Sequence, residues 1–333
     1  AGDLPDVTIN KSAGTLTLSS TIRTTNDWTY TQGTVDATTN DSTVVFAGTL
    51  TLDGQGTSAT MAFDNVDIRT STVTLGGNLD VDGNLTITSG TLAVSGSNYS
   101  LNVAGNWTDT STGSFTEGSG TVTFDGSGAQ TINANETFNN VTINKSAGTA
   151  TVSTNSLLAA GTLTLSAGTL DMNGIAATIT GLATVSGGTY TASTATQTFN
   201  GGLTISGGTF TGSSGTVDVN GALTLSSGTL TAPSGTFSVS GNWAQTGGTF
   251  TPGTNTVTFD GGVGTTQTLN SGGTAFNNVS HSGAGTLQLL TNALSVSGTF
   301  TNSAGTYDAN ALATTVTGLA TVSGGTYTAS TAT

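Results

Sequence analysis

A glycine returns every twenty residues through the middle of this chain. Gly161, Gly181, Gly201, Gly221, Gly241 and Gly261 keep the step. A second series follows seven residues on, at Gly168, Gly188, Gly208, Gly228 and Gly248, each followed by threonine. A fixed short period is the mark of a solenoid, in which each repeat packs only on its neighbours. Three short alternating segments fill each period. In one coil they are Leu203-Thr204-Ile205, Thr209-Phe210-Thr211 and Val217-Asp218-Val219. In the next they are Leu223-Thr224-Leu225, Thr229-Leu230-Thr231 and Phe237-Ser238-Val239. Apolar–polar alternation with β-branched and aromatic residues reads as strand, and the intervening Gly, Ser and Asn read as turns.

Stacking the coils brings like onto like. One inward column runs Leu163, Ala183, Leu203, Leu223, Trp243; a second Leu170, Tyr190, Phe210, Leu230, Phe250; a third Ala159, Ile179, Phe199, Val219, Val239, Phe259. Outward columns are nearly all hydroxyls, such as Thr164, Thr184, Thr204 and Thr224, or Thr178, Thr198, Asp218, Ser238 and Thr258. No stretch carries a 3.6-residue apolar period. The pattern predicts an all-β parallel β-helix, or β-solenoid, with about 20 residues and three short strands per coil, and roughly sixteen coils in the 333 residues. Right-handed winding is the default for parallel crossovers.

Composition narrows the function classes. The chain has 49 glycines but only 3 prolines, and glycine does not recur every third residue, which excludes collagen. Four basic against 18 acidic residues give a formal charge of −14, so the chain is ill suited to nucleic acid or an anionic bilayer. Cysteine is absent, which removes disulfides and thiolate chemistry. No apolar run reaches the roughly eighteen residues of a membrane span, and no secretory leader is visible.

A longer repeat overlies the coil. Residues 181–196 and 318–333 are one identical string, GLATVSGGTYTASTAT, and residues 7–15 and 141–149 share VTINKSAGT. Phe138-Asn139-Asn140-Val141 returns as Phe276-Asn277-Asn278-Val279, with Phe63-Asp64-Asn65-Val66 as a variant, and Gly105-Asn106-Trp107 returns as Gly241-Asn242-Trp243. The offsets give tandem modules of about 137 residues, within a single continuous solenoid over 1–333. The coil register loosens over 262–302 and much of 20–72, where irregular coils or short excursions are expected. Because the chain starts and ends inside module copies, we expect an excerpt of a longer repeat protein, or a subunit that continues onto another copy.

These strings resemble the large β-strand-repeat surface proteins of bacteria, similar in general design to autotransporter and filamentous-haemagglutinin-type adhesins. The resemblance implies an extracellular parallel β-solenoid in an adhesin, stalk, sheath or fibre. It transfers no catalytic residue, because the shared positions are turn and core positions.

Candidate chemistry is sparse. His281, the only histidine, sits in Ser280-His281-Ser282 without an evident partner and reads as an exposed loop or strand residue. Asp80 and Asp82, followed by Gly83 and Asn84, could form a small calcium site or an acid pair, but the full acidic loop with its distal glutamate is missing. Two solvated carboxylates are the simpler reading. Asp218 and Asp260 fall on separate faces and make no pair of the kind glycoside hydrolysis needs. Thr189/Thr191, Thr209/Thr211, Thr229/Thr231 and Thr249/Thr251 form a two-wide Thr-x-Thr array of the kind that contacts ice, although threonine fills other outward columns too. Asn84-Leu85-Thr86 and Asn106-Trp107-Thr108 match a glycan acceptor pattern that chance explains in such a composition. We therefore assign no catalytic, cofactor-binding or metal-ligating residue and expect no enzyme. The leading expectation is a structural building block of a cell-surface fibre or adhesin stalk that self-associates end to end. The alternatives are a binding module for glycan, for which Trp28, Trp107 and Trp243 are the available tryptophans, or for ice, and last a polysaccharide-active enzyme.

Overall fold

The computed structural model describes residues 2–55 and 60–329, all in strands, turns and bends, with no helix among them. The chain forms a parallel β-solenoid of about 16 turns of about 20 residues. It divides into two compact units, Ala1–Gly161 with Ala167–Leu170, and Thr162–Ser166 with Asp171–Thr333.

The second unit follows the twenty-residue step closely. Leu203 pairs with Leu223, and Leu223 with Trp243, in parallel register. Tyr190, Phe210, Leu230 and Phe250 form the next inward column. Ile179, Phe199, Val219, Val239 and Phe259 form the third. All of these side chains are buried. Alternation forces this result: successive side chains point to opposite faces of a strand, and the apolar parity can be covered only from inside the coil. Three faces per coil appear as expected, but not always as three strands. Leu203–Thr211 and Leu223–Thr231 each turn a corner as one bent strand, with a register shift where Ser206 meets Ser227. In the neighbouring coils the same two faces are separate strands, Ala183–Val185 and Thr189–Thr191, or Trp243–Gln245 and Thr249–Thr251.

The first unit stacks as regularly but with unequal coils. Val44 pairs with Val66, Val66 with Leu85, Leu85 with Trp107 and Trp107 with Ile132, which are steps of 22, 19, 22 and 25 residues. The ladder therefore continues through 20–72, and the variation falls in the turns. In the second unit it also continues through 262–302, where Gln267 pairs with Leu287 and Leu287 with Tyr307. The extra residues there leave the coil at 261–265, a loop that holds Val263 at 83% exposure.

The longer repeat proves to be an aromatic node with a hydrogen-bonded corner. Trp28 meets Phe46 and Phe63 at ring-centroid distances of 5.9 and 5.4 Å. Trp107 meets Phe124 and Phe138 at 6.3 and 5.1 Å, and Trp243 meets Phe259 and Phe276 at 6.1 and 5.1 Å. Most of these contacts are edge-to-face, the arrangement that ring quadrupoles favour. Two residues after the phenylalanine, an asparagine fastens the corner to the next coil. Asn65 Oδ1 accepts the Asn84 N–H at 3.0 Å, and Asn278 Oδ1 accepts the Thr299 N–H at 2.7 Å. Gly83 and Gly298 lie over these asparagines, where a Cβ would run into the amide oxygen. Strings and glycines thus recur together for one packing reason.

Gly228 shows how tight the corners are. Its φ is +79°, and a Cβ there would collide with the Gly208 carbonyl oxygen of the coil before. Gly253 has a similar φ of +57° but open space around it. Gly253→Ala should therefore cost only the left-handed backbone penalty of about 1–2 kcal/mol. Gly228→Ala should cost at least about 3 kcal/mol, because the backbone must also move apart. Urea unfolding of the two variants checks this, and equal losses would contradict coil-on-coil contact at this corner.

Candidate functional site

The exterior is chemically uniform. All 4 basic residues and fourteen of the 18 acidic residues belong to the first unit. The second unit carries only the carboxylates of Asp171, Asp218, Asp260 and Asp308, with His281. Its threonine columns align as the spacing predicts, with Thr189, Thr209, Thr229 and Thr249 paired in one line and Thr191, Thr211, Thr231 and Thr251 in the other. The adjacent face repeats the pattern in Thr184, Thr204 and Thr224. Hydroxyls therefore do not single out one face.

The predicted carboxylate sites do not assemble into a catalytic pair. Asp218 lies outward in strand Val217–Val219 and accepts a hydrogen bond from Ser238 Oγ at 2.8 Å. Asp260 lies past the end of strand Thr256–Phe259, two coils on, and accepts from Ser240 Oγ at 2.7 Å. Asp80 is outward in strand Leu79–Val81, and Asp82 follows in the turn. Asp80 instead acts on Asp125, whose carboxyl is pushed up first by burial and then by the Asp80 charge. Among the described residues no three His, Cys, Asp or Glu side chains gather as a metal site. Asn84 and Asn106, the glycan-pattern asparagines, are corner residues. Asn84 Oδ1 accepts the Asn106 N–H at 2.9 Å, and Asn106 Oδ1 accepts the Thr131 N–H at 2.7 Å. Trp28, Trp107 and Trp243 are fully buried, so none can stack on a sugar.

The informative polar groups point inward. Gln267 Nε2 donates to the carbonyls of Val239 at 2.6 Å and Gly241 at 2.5 Å. Gln130 makes the same bracket in the first unit, on the carbonyls of Val103 and Gly105. Asn255 spans Pro233 O and Gly235 O, and Gln197 spans Ile175 O and Ala195 O. An amide carries two N–H donors, so one side chain satisfies two corner carbonyls that would otherwise be stranded in the core. Gln130 does more: its Oε1 accepts from the buried Lys145 ammonium at 3.0 Å, which also donates to Gly126 O at 2.7 Å. Burial holds the Lys145 amine below its ordinary value, with Asp125 pulling the other way. Sequence reasoning passed over Lys145 and these glutamines. The signal was parity, because Val141, Ile143 and Lys145 alternate on one face.

His281 corrects an expectation. It is buried at 1% exposure, not exposed, and it continues the third inward column after Phe259. Its Nδ1 lies 2.7 Å from Asn302 Oδ1. Asn302 turns its Nδ2 toward the carbonyl of Thr326 at 3.0 Å, so its oxygen faces the ring and Nδ1 is the donor. The reason for the burial is again parity: Val279 and His281 share a face. Burial lowers its pKa, and the Asn302 bond opposes that shift.

The sign of that shift gives a pH prediction. A depressed folded-state pKa means that the unfolded chain takes up the proton more readily. The stabilisation is complete above about 6.5, the ordinary histidine value, and is lost as pH falls below it. Wild-type stability in the second unit should fall between roughly pH 6.5 and 5 relative to His281→Gln, measured by urea unfolding across that range. A variant with an unchanged acid slope would show that His281 is not held neutral.

No family model matches this chain, and neither a curated protein nor a solved structure matches it. Function is therefore argued from the fold and its surface.

Proposed function

We propose that this chain is structural, a β-solenoid building block of an extracellular fibre or adhesin stalk, without enzymatic activity. One observation carries the reading. Each coil buries its apolar parity against its neighbours while showing the exterior almost only hydroxyls, so the polypeptide's regularity is spent on extension and not on a cleft. The extracellular setting rests on the resemblance to bacterial surface repeat proteins.

End-to-end stacking is part of the proposal, and the duplicated string supports it. In residues 181–196, Ala183, Val185 and Tyr190 are buried, covered by the coil that contains Leu203–Thr211. In residues 318–333, the equivalent Ala320, Val322 and Tyr327 are exposed, with Val322 at 52% and Tyr327 at 40%. A coil laid on that face, from the same polypeptide or from another copy, would bury them in the same way and extend both ladders.

Sedimentation at rising concentration tests this, alongside electron microscopy of the same samples. The expected result is longer rods as concentration rises. Replacing Val322→Asp and Tyr327→Asp together should weaken association at least about tenfold, because burial of either side chain is worth about 1.5–3 kcal/mol. Single rods at every concentration would overturn the stacking reading.

A further inference from the structure

Asp109 is the least explained side chain in the core. It ends strand Trp107–Asp109 on the inward parity, paired with Ile87 of the coil before. It is 3% exposed, and neither carboxylate oxygen has a hydrogen-bond partner. A buried carboxylate without donors is among the costliest groups a core can hold. The matching position after the second Gly-Asn-Trp string is Gln245, a neutral amide whose Nε2 donates to Thr274 Oγ1 at 3.0 Å.

The surroundings offer no counter-charge. Strand Leu85–Ile87 of the coil before contributes no ionisable group, and neither does strand Gly113–Thr116 of the same coil. The coil after contributes Glu136, a second acid. The basic side chains are engaged elsewhere or lie at a distance in sequence: Arg69 on Asp67, Arg23 on Asp3, Lys145 on Gly126 and Gln130, and Lys11 in strand Val7–Thr17. Space is made by Gly113, where a Cβ would strike both Asp109 Oδ1 and the Ile87 carbonyl oxygen. A protonated carboxyl gains an O–H donor in the space it shares with that carbonyl. An ionised one gains nothing.

We infer that Asp109 is an acid-tightened joint in the first unit: the coil closes around the neutral carboxyl and opens to hydrate the carboxylate. The titration supports the geometry. Burial, and then the Glu136 charge, push the Asp109 carboxyl from 3.8 up to about 6, with the Asn135 N–H as the only opposing influence. The closed coil therefore holds the proton more tightly than the open one. Its stabilisation is complete below about pH 4 and is lost as pH rises through about 6. A gap of about two pKa units corresponds to roughly a 100-fold change in the closed-to-open ratio.

Amide hydrogen exchange on the full chain between pH 4 and 8, corrected for intrinsic rates, tests this. Relative to strand Leu223–Thr231, protection of Trp107–Asp109, Gly113–Thr116 and the covering strand Gln130–Asn133 should drop up to about 100-fold as pH passes 6. Asp109→Asn should remove the step and keep protection high throughout. Glu136→Gln should keep the step and move its midpoint to lower pH, and this variant decides the matter if Asp109→Asn does not fold. A wild-type profile parallel to the control strand, a step that survives in Asp109→Asn, or a midpoint indifferent to Glu136→Gln would overturn the inference.

Discussion

The structure depends on one interaction, the parallel stacking of each coil on its equivalents. A single coil of three short strands has an apolar interior open on two sides and cannot close it alone. Laid on a neighbour, it covers Leu203 with Leu223 and Leu223 with Trp243, and the backbone ladder forms in the same step. Each buried Leu or Phe is worth about 1.5–3 kcal/mol against exposure. Most of the stability therefore sits in interfaces between coils, as expected for a quasi-one-dimensional repeat. The three tryptophan nodes are the bulkiest points of this packing, and their spacing is what appears in the sequence as the longer module.

The same constraint explains the polar interior. A chain that turns three corners per coil aims some carbonyls inward, where no strand partner reaches them. Gln130, Gln197, Asn255 and Gln267 answer these carbonyls with amide brackets. Such groups look out of place in a core but cost less than unpaired carbonyls. Lys145 and His281 fit the same logic, each facing an amide oxygen. Asp109 does not, and that mismatch makes it the point where proton concentration can act on the fold. Outside, nearly neutral hydroxyl columns impose no charge repulsion on neighbouring surfaces, which suits scaffold material.

Much of the fold could be read from parity and period. The inward columns from Leu203 to Trp243 and from Ile179 to Phe259 follow directly from alternation at a twenty-residue step. The loosened stretch at 20–72 could not be read that way, because its coils vary from 19 to 25 residues and turns absorb the difference. His281 was misjudged because the polar triplet Ser280-His281-Ser282 outweighed its shared parity with Val279. Lys145 was missed for the same reason, since residue type was weighed above position. Partner and setting were legible only through resemblance. The exterior repeats one residue type, so no face announces a ligand.

The chain contains no cysteine, so coil stacking can be mapped by introduced disulfides. Thr204 and Thr224 are outward and directly paired on adjacent coils, at a strand spacing of about 4.8 Å that permits a disulfide. Under mild oxidation Thr204→Cys with Thr224→Cys should cross-link rapidly and leave the protein folded. Thr204→Cys with Thr231→Cys, on a different face, should not. Equal cross-linking of both pairs, or none in the first, would contradict the stacked solenoid.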